Sequence, residues 1–300
     1  MHIETRPPRA ADRTAIEAIA AADDARAPSL DDPLTLIAEH GGQVVGFGRI
    51  DWWEEADGTR LYRLSGAVDA AHKRQGVGRR LLAAQEAQAA AHWRAEPGPG
   101  RPLLGTNADA SRPDRLALLH DAGYRVRFSL VDLARDTAGA EDRPLPEGLE
   151  LRPVEEEHHP LIHAAIVTCF ARHGLGFSAQ SYADYRAEAR DTDLWLVAWD
   201  DEGIAALATN ERRADGSADT PYVAVLPRRR RQGLAQVLLH RSLRRLAAEG
   251  IRTATIRTTQ ENQDRTVELY EKCGYRVTGR IPRYAKRMEL LGGDEPAGEH

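Results

Sequence analysis

Leu234, Leu238, Leu239, Leu243 and Leu246 recur with the period of one helix face, and the pattern stops before Gly250. Upstream, Tyr222-Val223-Ala224-Val225-Leu226 is an apolar run ended by Pro227. Downstream, Ile251-Arg252-Thr253-Ala254-Thr255-Ile256 is rich in β-branched residues. Both runs predict strands. Thr266 to Lys272 predicts a short helix, with Gly274 as its left-handed end residue. Leu161, Ile162, Ala165, Ile166 and Phe170 fall at helical spacing. Leu149 to Leu151 begins a strand, and Leu194 to Trp199 with Ile204 to Leu207 predicts a hairpin around Asp200-Asp201-Glu202-Gly203.

The first half follows the same order. Leu36-Ile37-Ala38 and Val44 to Phe47 surround Gly41-Gly42, Trp52-Trp53-Glu54-Glu55 precedes a turn at Asp57-Gly58, and Leu61 to Val68 forms a strand. Strands run before helices are complete, which predicts an α+β class with a mixed, partly antiparallel sheet. No GxGxxG closes an early βαβ unit, so a doubly wound dinucleotide fold is excluded.

Three segments recur in order. Ile3-Glu4-Thr5-Arg6-Pro7 matches Leu149-Glu150-Leu151-Arg152-Pro153, Lys73-Arg74-Gln75-Gly76-Val77-Gly78 matches Arg230-Arg231-Gln232-Gly233-Leu234-Ala235, and Gly123-Tyr124-Arg125-Val126 matches Gly274-Tyr275-Arg276-Val277. Two domains of one type follow. The stretch 139–147 is rich in Pro, Gly and charge, so the expected limits are 1–138, a linker at 139–147, a second domain at 148–290, and a mobile tail at 291–300.

Charge changes the picture locally rather than globally. The net charge is −5, from 41 basic and 46 acidic residues, which offers no general pull toward nucleic acid or anionic lipid. With two cysteines and no CxxC there is no disulfide framework, and the expected compartment is the cytoplasm. No apolar run approaches a membrane span or a signal core. Yet Arg228 to Arg231 place four positive charges beside Gly233, at a strand-to-helix turn. Unpaired N–H groups and a positive dipole end make such a turn a site for phosphate.

The strand with Val225 and Pro227, the basic glycine turn, the amphipathic helix, and Leu269-Tyr270-Glu271-Lys272-Cys273-Gly274-Tyr275 together resemble the GNAT superfamily of acetyl-CoA-dependent N-acetyltransferases. The likeness is strongest over 222–278. The tandem layout is similar to that of the mycothiol synthase-like, two-domain members. The resemblance implies two tandem domains, each a mixed, mostly antiparallel twisted sheet with helices on both faces. It implies acetyl-CoA as co-substrate and no metal. The coenzyme would lie on Val223, Val225, Arg230, Arg231, Gln232, Gly233, Leu234, Ala235 and Asn262, and in the first half on Val68, Lys73, Arg74, Gln75, Gly76, Val77 and Gly78.

By the same resemblance Tyr270 would protonate the departing thiolate, and Asp219, six residues before Val225, would take the place of the base glutamate of the two-domain branch. Core packing for Tyr270 and a turn role for Asp219 stay open. In the first half His120 is the candidate in the place of Tyr270, and that domain is expected to be silent. Direct attack by a primary amine of a small molecule is expected, in a monomer or homodimer with no nucleic-acid or membrane partner. The acceptor would be gripped by loops 172–177 and 184–193. A sensor that binds acyl-CoA without turnover is the alternative. Next to His158, the pair His159 and His163 stands at i and i+4, a spacing that can hold zinc, but no HExxH frame is present and no third ligand is evident.

Overall fold

The structure is a computed structural model that describes residues 2–55, 57–108, 111–170, 180–261 and 265–289. The chain forms two compact units, residues 1–127 with 282–300, and residues 128–281.

In the first unit β1 (Glu4–Arg6), β2 (Thr35–His40), β3 (Gln43–Glu54) and β4 (Arg60–Val68) pair antiparallel in that order. β5 (Pro102–Asn107) joins β4 in parallel, and residues 283–287 pair antiparallel with β5. Helices cover both faces of this sheet. α1 (Arg13–Ala22) buries Ile16, Ile19 and Ala20 against Ile37, Phe47 and Ala67. α2 (Val77–Ala95) buries Val77 and Leu81 against Ala38 and Val45 on the other face. α3 (Pro113–Asp121) follows β5, with Pro113 in its first turn, where a missing N–H costs nothing.

In the second unit β6 (Arg125–Asp136) opens the chain order. β7 (Glu150–Arg152), α4 (His159–Phe170), α5 (Tyr182–Glu188), β8 (Leu196–Asp200) and β9 (Gly203–Ala208) follow. Next come β10 (Glu211–Arg212), β11 (Ala218–Asp219), β12 (Val223–Val225), α6 (Leu234–Ala248), β13 (Thr253–Thr259), α7 (Thr266–Lys272) and β14 (Arg276–Arg287). β7, β8, β9 and β12 form one sheet, while β6, β13, β11 and β10 belong to another.

α6 covers the split between these two sheets. Leu234 and Leu238 pack on Ala198, Ala206 and Ala208, while Leu239, Leu243 and Leu246 join Ile256, Val267 and Tyr270. Each buried leucine is worth about 1.5–3 kcal/mol. α4 covers the opposite face of β8 and β9, with Ile162, Ala165 and Ile166 on Val197 and Leu207.

Composition and pairing divide the chain at different places. Residues 138–149 are irregular, as linker composition implies. However, β6 pairs with β13 from Thr253↔Asp136 to Thr259↔Leu130, so the strand before that stretch belongs to the second unit. β14 gives its first residues to the second unit and 283–287 to the first. Strand membership follows hydrogen-bond partners, and these lie far away in sequence. Among the described residues no helix is long and apolar enough to cross a membrane.

Candidate active site

The two basic turns adopt one conformation. Arg74 and Gly76 have φ of +63° and +88°, and Arg231 and Gly233 have +65° and +72°. Left-handed residues spaced in this way turn successive N–H groups into one concavity. Neither α2 nor α6 has a side-chain cap at its start, so first-turn N–H groups stay open to an anion. A Cβ on Gly233 would meet no protein atom, so the glycine is required by its positive φ and not by crowding within the protein. Arg74 and Arg231 carry the strain of about 1–2 kcal/mol that a left-handed L-residue costs.

The four-arginine patch is not four free charges. Arg228 Nη2 meets Asp200 Oδ1 at 2.8 Å and Arg229 Nε meets Asp200 Oδ2 at 2.7 Å. The Asp200 side chain is fully buried. Burial opposes its charge, but Arg228 and Arg229 outweigh it and hold the carboxyl at about 2. Arg230 Nε donates to Val225 O at 3.1 Å, which leaves Arg231 exposed at the turn. In the first unit Lys73 Nζ meets Asp23 Oδ1 at 2.7 Å, and Arg112 Nη2 meets both Asp23 oxygens at 2.8 Å. Burial again opposes ionisation, and Arg112 and Lys73 outweigh it, so Asp23 lies below the usual carboxylate range.

Beneath each turn a strand parts from its parallel neighbour. β4 pairs with β5 only from Arg60↔Pro102 to Arg63↔Gly105. Past that point lies a cavity of about 500 Å³ lined by Ser65, Gly66, Val68, Lys73, Gly76 and Leu119, among others. In the second unit Ala218 and Asp219 pair with Ala254 and Thr255, and Thr220 N–H donates to Thr255 O as the last rung. The chain then crosses to the other sheet as β12.

At that crossing the register slips. Asp219 opposes Glu211, but Val223 opposes Ala208, so Thr220, Pro221 and Tyr222 face only Thr209 and Asn210. This is a β-bulge, and it reverses which backbone groups face which side. Tyr222 O accepts from Thr209 N–H, and Leu226 N–H donates to Ala205 O, so the even-numbered residues bond to β9. By the alternation of an antiparallel ladder, Val223 and Val225 turn their N–H groups to the opened side. Val225 O on that side takes Arg230 and, at 3.5 Å, Cys169 Sγ. In the first unit Asp69 N–H donates to Val45 O, and β3 and β4 pair without a slip from Gly46↔Val68 to Glu54↔Arg60. There Gly66 and Val68 face the cavity, and Arg115 Nη2 holds Gly66 O at 2.8 Å. The signal for the bulge was Pro221, because a proline inside a strand-like run is confined to edges and bulges.

The remaining candidates fall as follows. Asp219 lies on β11, ion-paired to Arg213 and accepting from Thr255 Oγ1 at 2.8 Å. Tyr270 is buried on α7 among Leu239, Leu243 and Val267, with Tyr275 at 6.0 Å between ring centroids. Burial raises its phenol above the usual range, so it stays protonated at neutral pH. His120 does not match it. Counting back from Gly123 as Tyr270 stands to Gly274 reaches Leu119, which is buried, while His120 matches Glu271 and is exposed. Asn262 and the loop 172–177 lie outside the described residues. His159 Nδ1 meets Tyr185 Oη at 2.8 Å and His163 Nε2 meets Gln180 O at 2.9 Å, so each ring commits one nitrogen to a hydrogen bond. Both cysteines are buried, and burial pushes the Cys273 thiol up to about 11, the wrong direction for a nucleophile.

A sequence profile described as Acetyltransferase (GNAT) domain matches residues 31–111 and 191–277, one region in each repeat. The mycothiol acetyltransferase of Brachybacterium faecium is 30% identical over 240 residues, covering 75% of this chain and 66% of that protein. The protein of the same name from Beutenbergia cavernae is 30% identical over 266 residues, covering 83% and 82%. A GCN5-related N-acetyltransferase from Sphaerobacter thermophilus has a TM-score of 0.68 at 19% identity, covering 95% of this chain and 96% of its own. A tandem GNAT protein from the clavulanic acid biosynthesis pathway has 0.62 at 15%, covering 98% and 100%. With the splayed strands and the basic glycine turn built twice, these matches place the chain in the GNAT family of acetyltransferases, as a tandem-domain acyltransferase.

Proposed function

We propose that the second domain, 148–290 in functional terms, moves an acetyl group from acetyl-CoA to a primary amine of a small molecule. The observation that carries this reading is the bulge, which turns Val223 and Val225 N–H toward the opened strand beside the anion cradle. The diphosphate would sit on the N–H groups of Gln232, Gly233, Leu234 and Ala235, with Arg230 and Arg231 beside it. The thioester carbonyl would meet a backbone N–H of β12, a donor aimed where negative charge develops. Asn262 would touch the pantetheine arm or cap α7.

The amine attacks the thioester carbon directly, the tetrahedral centre collapses, and the C–S bond breaks. Tyr270 supplies a proton to the departing sulfur, and the nitrogen, cationic after attack, gives up its second proton through solvent to restore the phenol. Asp219 takes the proton from the ammonium before attack, since an amine that titrates near 10 is mostly protonated at neutral pH. The relatives' name makes the amine precursor of a mycothiol-type thiol the first acceptor to try.

The first domain, 1–138 in functional terms, would hold a coenzyme on Val68 and on Lys73, Arg74, Gln75, Gly76, Val77 and Gly78 without transferring from it. Leu119 in the place of a phenol favours that second, binding-only role.

Thermal melts and thiol release test the reading. Acetyl-CoA should raise the melting temperature of the parent and of Tyr270→Phe alike, while the variant releases CoA about a hundredfold more slowly with an active amine. A full melting shift with no CoA released from any amine in a broad panel would favour a sensor instead.

A further inference from the structure

The bulge has a built foundation. Asn210 is fully buried opposite it, and its side chain makes three hydrogen bonds. Nδ2 donates to Leu194 O at 2.8 Å, and Oδ1 accepts from Thr220 Oγ1 and from Ser242 Oγ, both at 2.9 Å. Its own carbonyl accepts from Trp195 Nε1 at 3.1 Å. Thr209, Thr220 and Ser242 are each no more than 2% exposed. Thr209 Oγ1 accepts the Tyr222 N–H at 3.2 Å, a rung that the slipped register would otherwise leave open.

Buried polar groups are costly unless satisfied, and a satisfied set of this kind favours one arrangement over its neighbours. A healed ladder would move Thr220 by one residue relative to Asn210. The Thr220 and Ser242 hydroxyls would then lose their common acceptor in a dry interior. The first unit offers the contrast at the same helix position. Gln85 of α2 corresponds to Ser242 of α6, and its Nε2 donates to Arg49 O at 3.0 Å and Ser65 O at 2.8 Å. That amide ties two strands whose register is straight.

We propose that Asn210, with Thr220 and Ser242, is a positioning cluster that fixes the bulge and so presents Val223 and Val225 to the coenzyme. This rests on the reading above, in which those two residues meet acetyl-CoA. None of the three touches the reacting atoms. They act through the strand they hold.

Amide hydrogen exchange with CoA as the probe tests this on the full chain. In the parent, CoA should slow exchange at Val223 and Val225 and at Leu234 and Ala235 by about tenfold or more. The variant Asn210→Leu/Thr220→Val/Ser242→Ala removes the polar atoms together, so the hydroxyls do not lose their acceptor singly. It should keep CoA protection at Leu234 and Ala235 and lose it at Val223 and Val225. General loosening would instead weaken protection at both places. Protection of both regions as in the parent, or loss at both in equal measure, overturns the proposal. If the triple variant does not fold, Ser242→Ala alone should show a loss of protection of about threefold confined to Val223 and Val225, and unchanged protection overturns the proposal. A parent whose amides do not respond to CoA would instead overturn the functional reading itself.

Discussion

At the turn the two units agree residue for residue. Arg74 and Arg231, and Gly76 and Gly233, share left-handed backbones, and each turn leans on a buried aspartate, Asp23 or Asp200. On the strand beneath they part. β4 keeps one register with β3 along its whole length, whereas β11 and β12 slip by one residue against β10 and β9. The helix that packs behind the cleft carries Leu119 in one unit and Tyr270 in the other. The turn is therefore kept over two different strands, which bring matching positions to the opened side by different routes: Gly66 and Val68 on a straight register, Val223 and Val225 on a slipped one.

The strongest test of this contrast uses the glycines. Gly233→Val should lower acetyl transfer by about a hundredfold or more, because β-branched side chains disfavour φ of +72° and the donors move. Gly76→Val should leave transfer within about threefold if the first unit only binds, since distant sites act independently. Equal losses in an acetyl-transfer assay would break the division of labour.

Asp200 gives the next largest effect. Its carboxyl is held at about 2 against 3.8 unperturbed, so the stability it adds is present above the unfolded value and is lost as pH falls through about 2. The loss is about 2 kcal/mol. Chemical denaturation between pH 4.5 and 2 should show this slope in the parent and a flatter one in Asp200→Asn. The same scan on Asp23→Asn reads the first unit, where the direction is the same.

Arg115→Ala should produce the smallest change. It frees Gly66 O, a cavity-facing acceptor, and should tighten CoA binding to the first unit by about threefold in calorimetry. Weaker binding would mean that Arg115 serves the ligand rather than the strand.

Much of this was legible in the chain. The two RQG turns could be read because glycine is the signature of a left-handed position, and the coinciding φ values explain why the repeat survives there. The leucine spacing of α6 marked its buried stripe because helix period and burial are tied. The arginines misled, since a buried counter-charge 28 residues before Arg228 leaves no mark in local composition. His120 misled by one position, which on a helix is the difference between core and solvent. The bulge was hidden because one added residue changes no composition, and only Pro221 hinted at it.

The pairing of β6 has a practical result for anyone dissecting this gene. A fragment begun at 148 discards Phe128 to Asp136 and bares the β13 edge from Thr253 to Thr259, an invitation to aggregate. A fragment stopped at 138 lacks 283–287 and bares β5 in the same way. Neither half can be excised whole with a single cut, so inactivating each repeat by point substitution within the intact polypeptide is the sound route to assigning their duties.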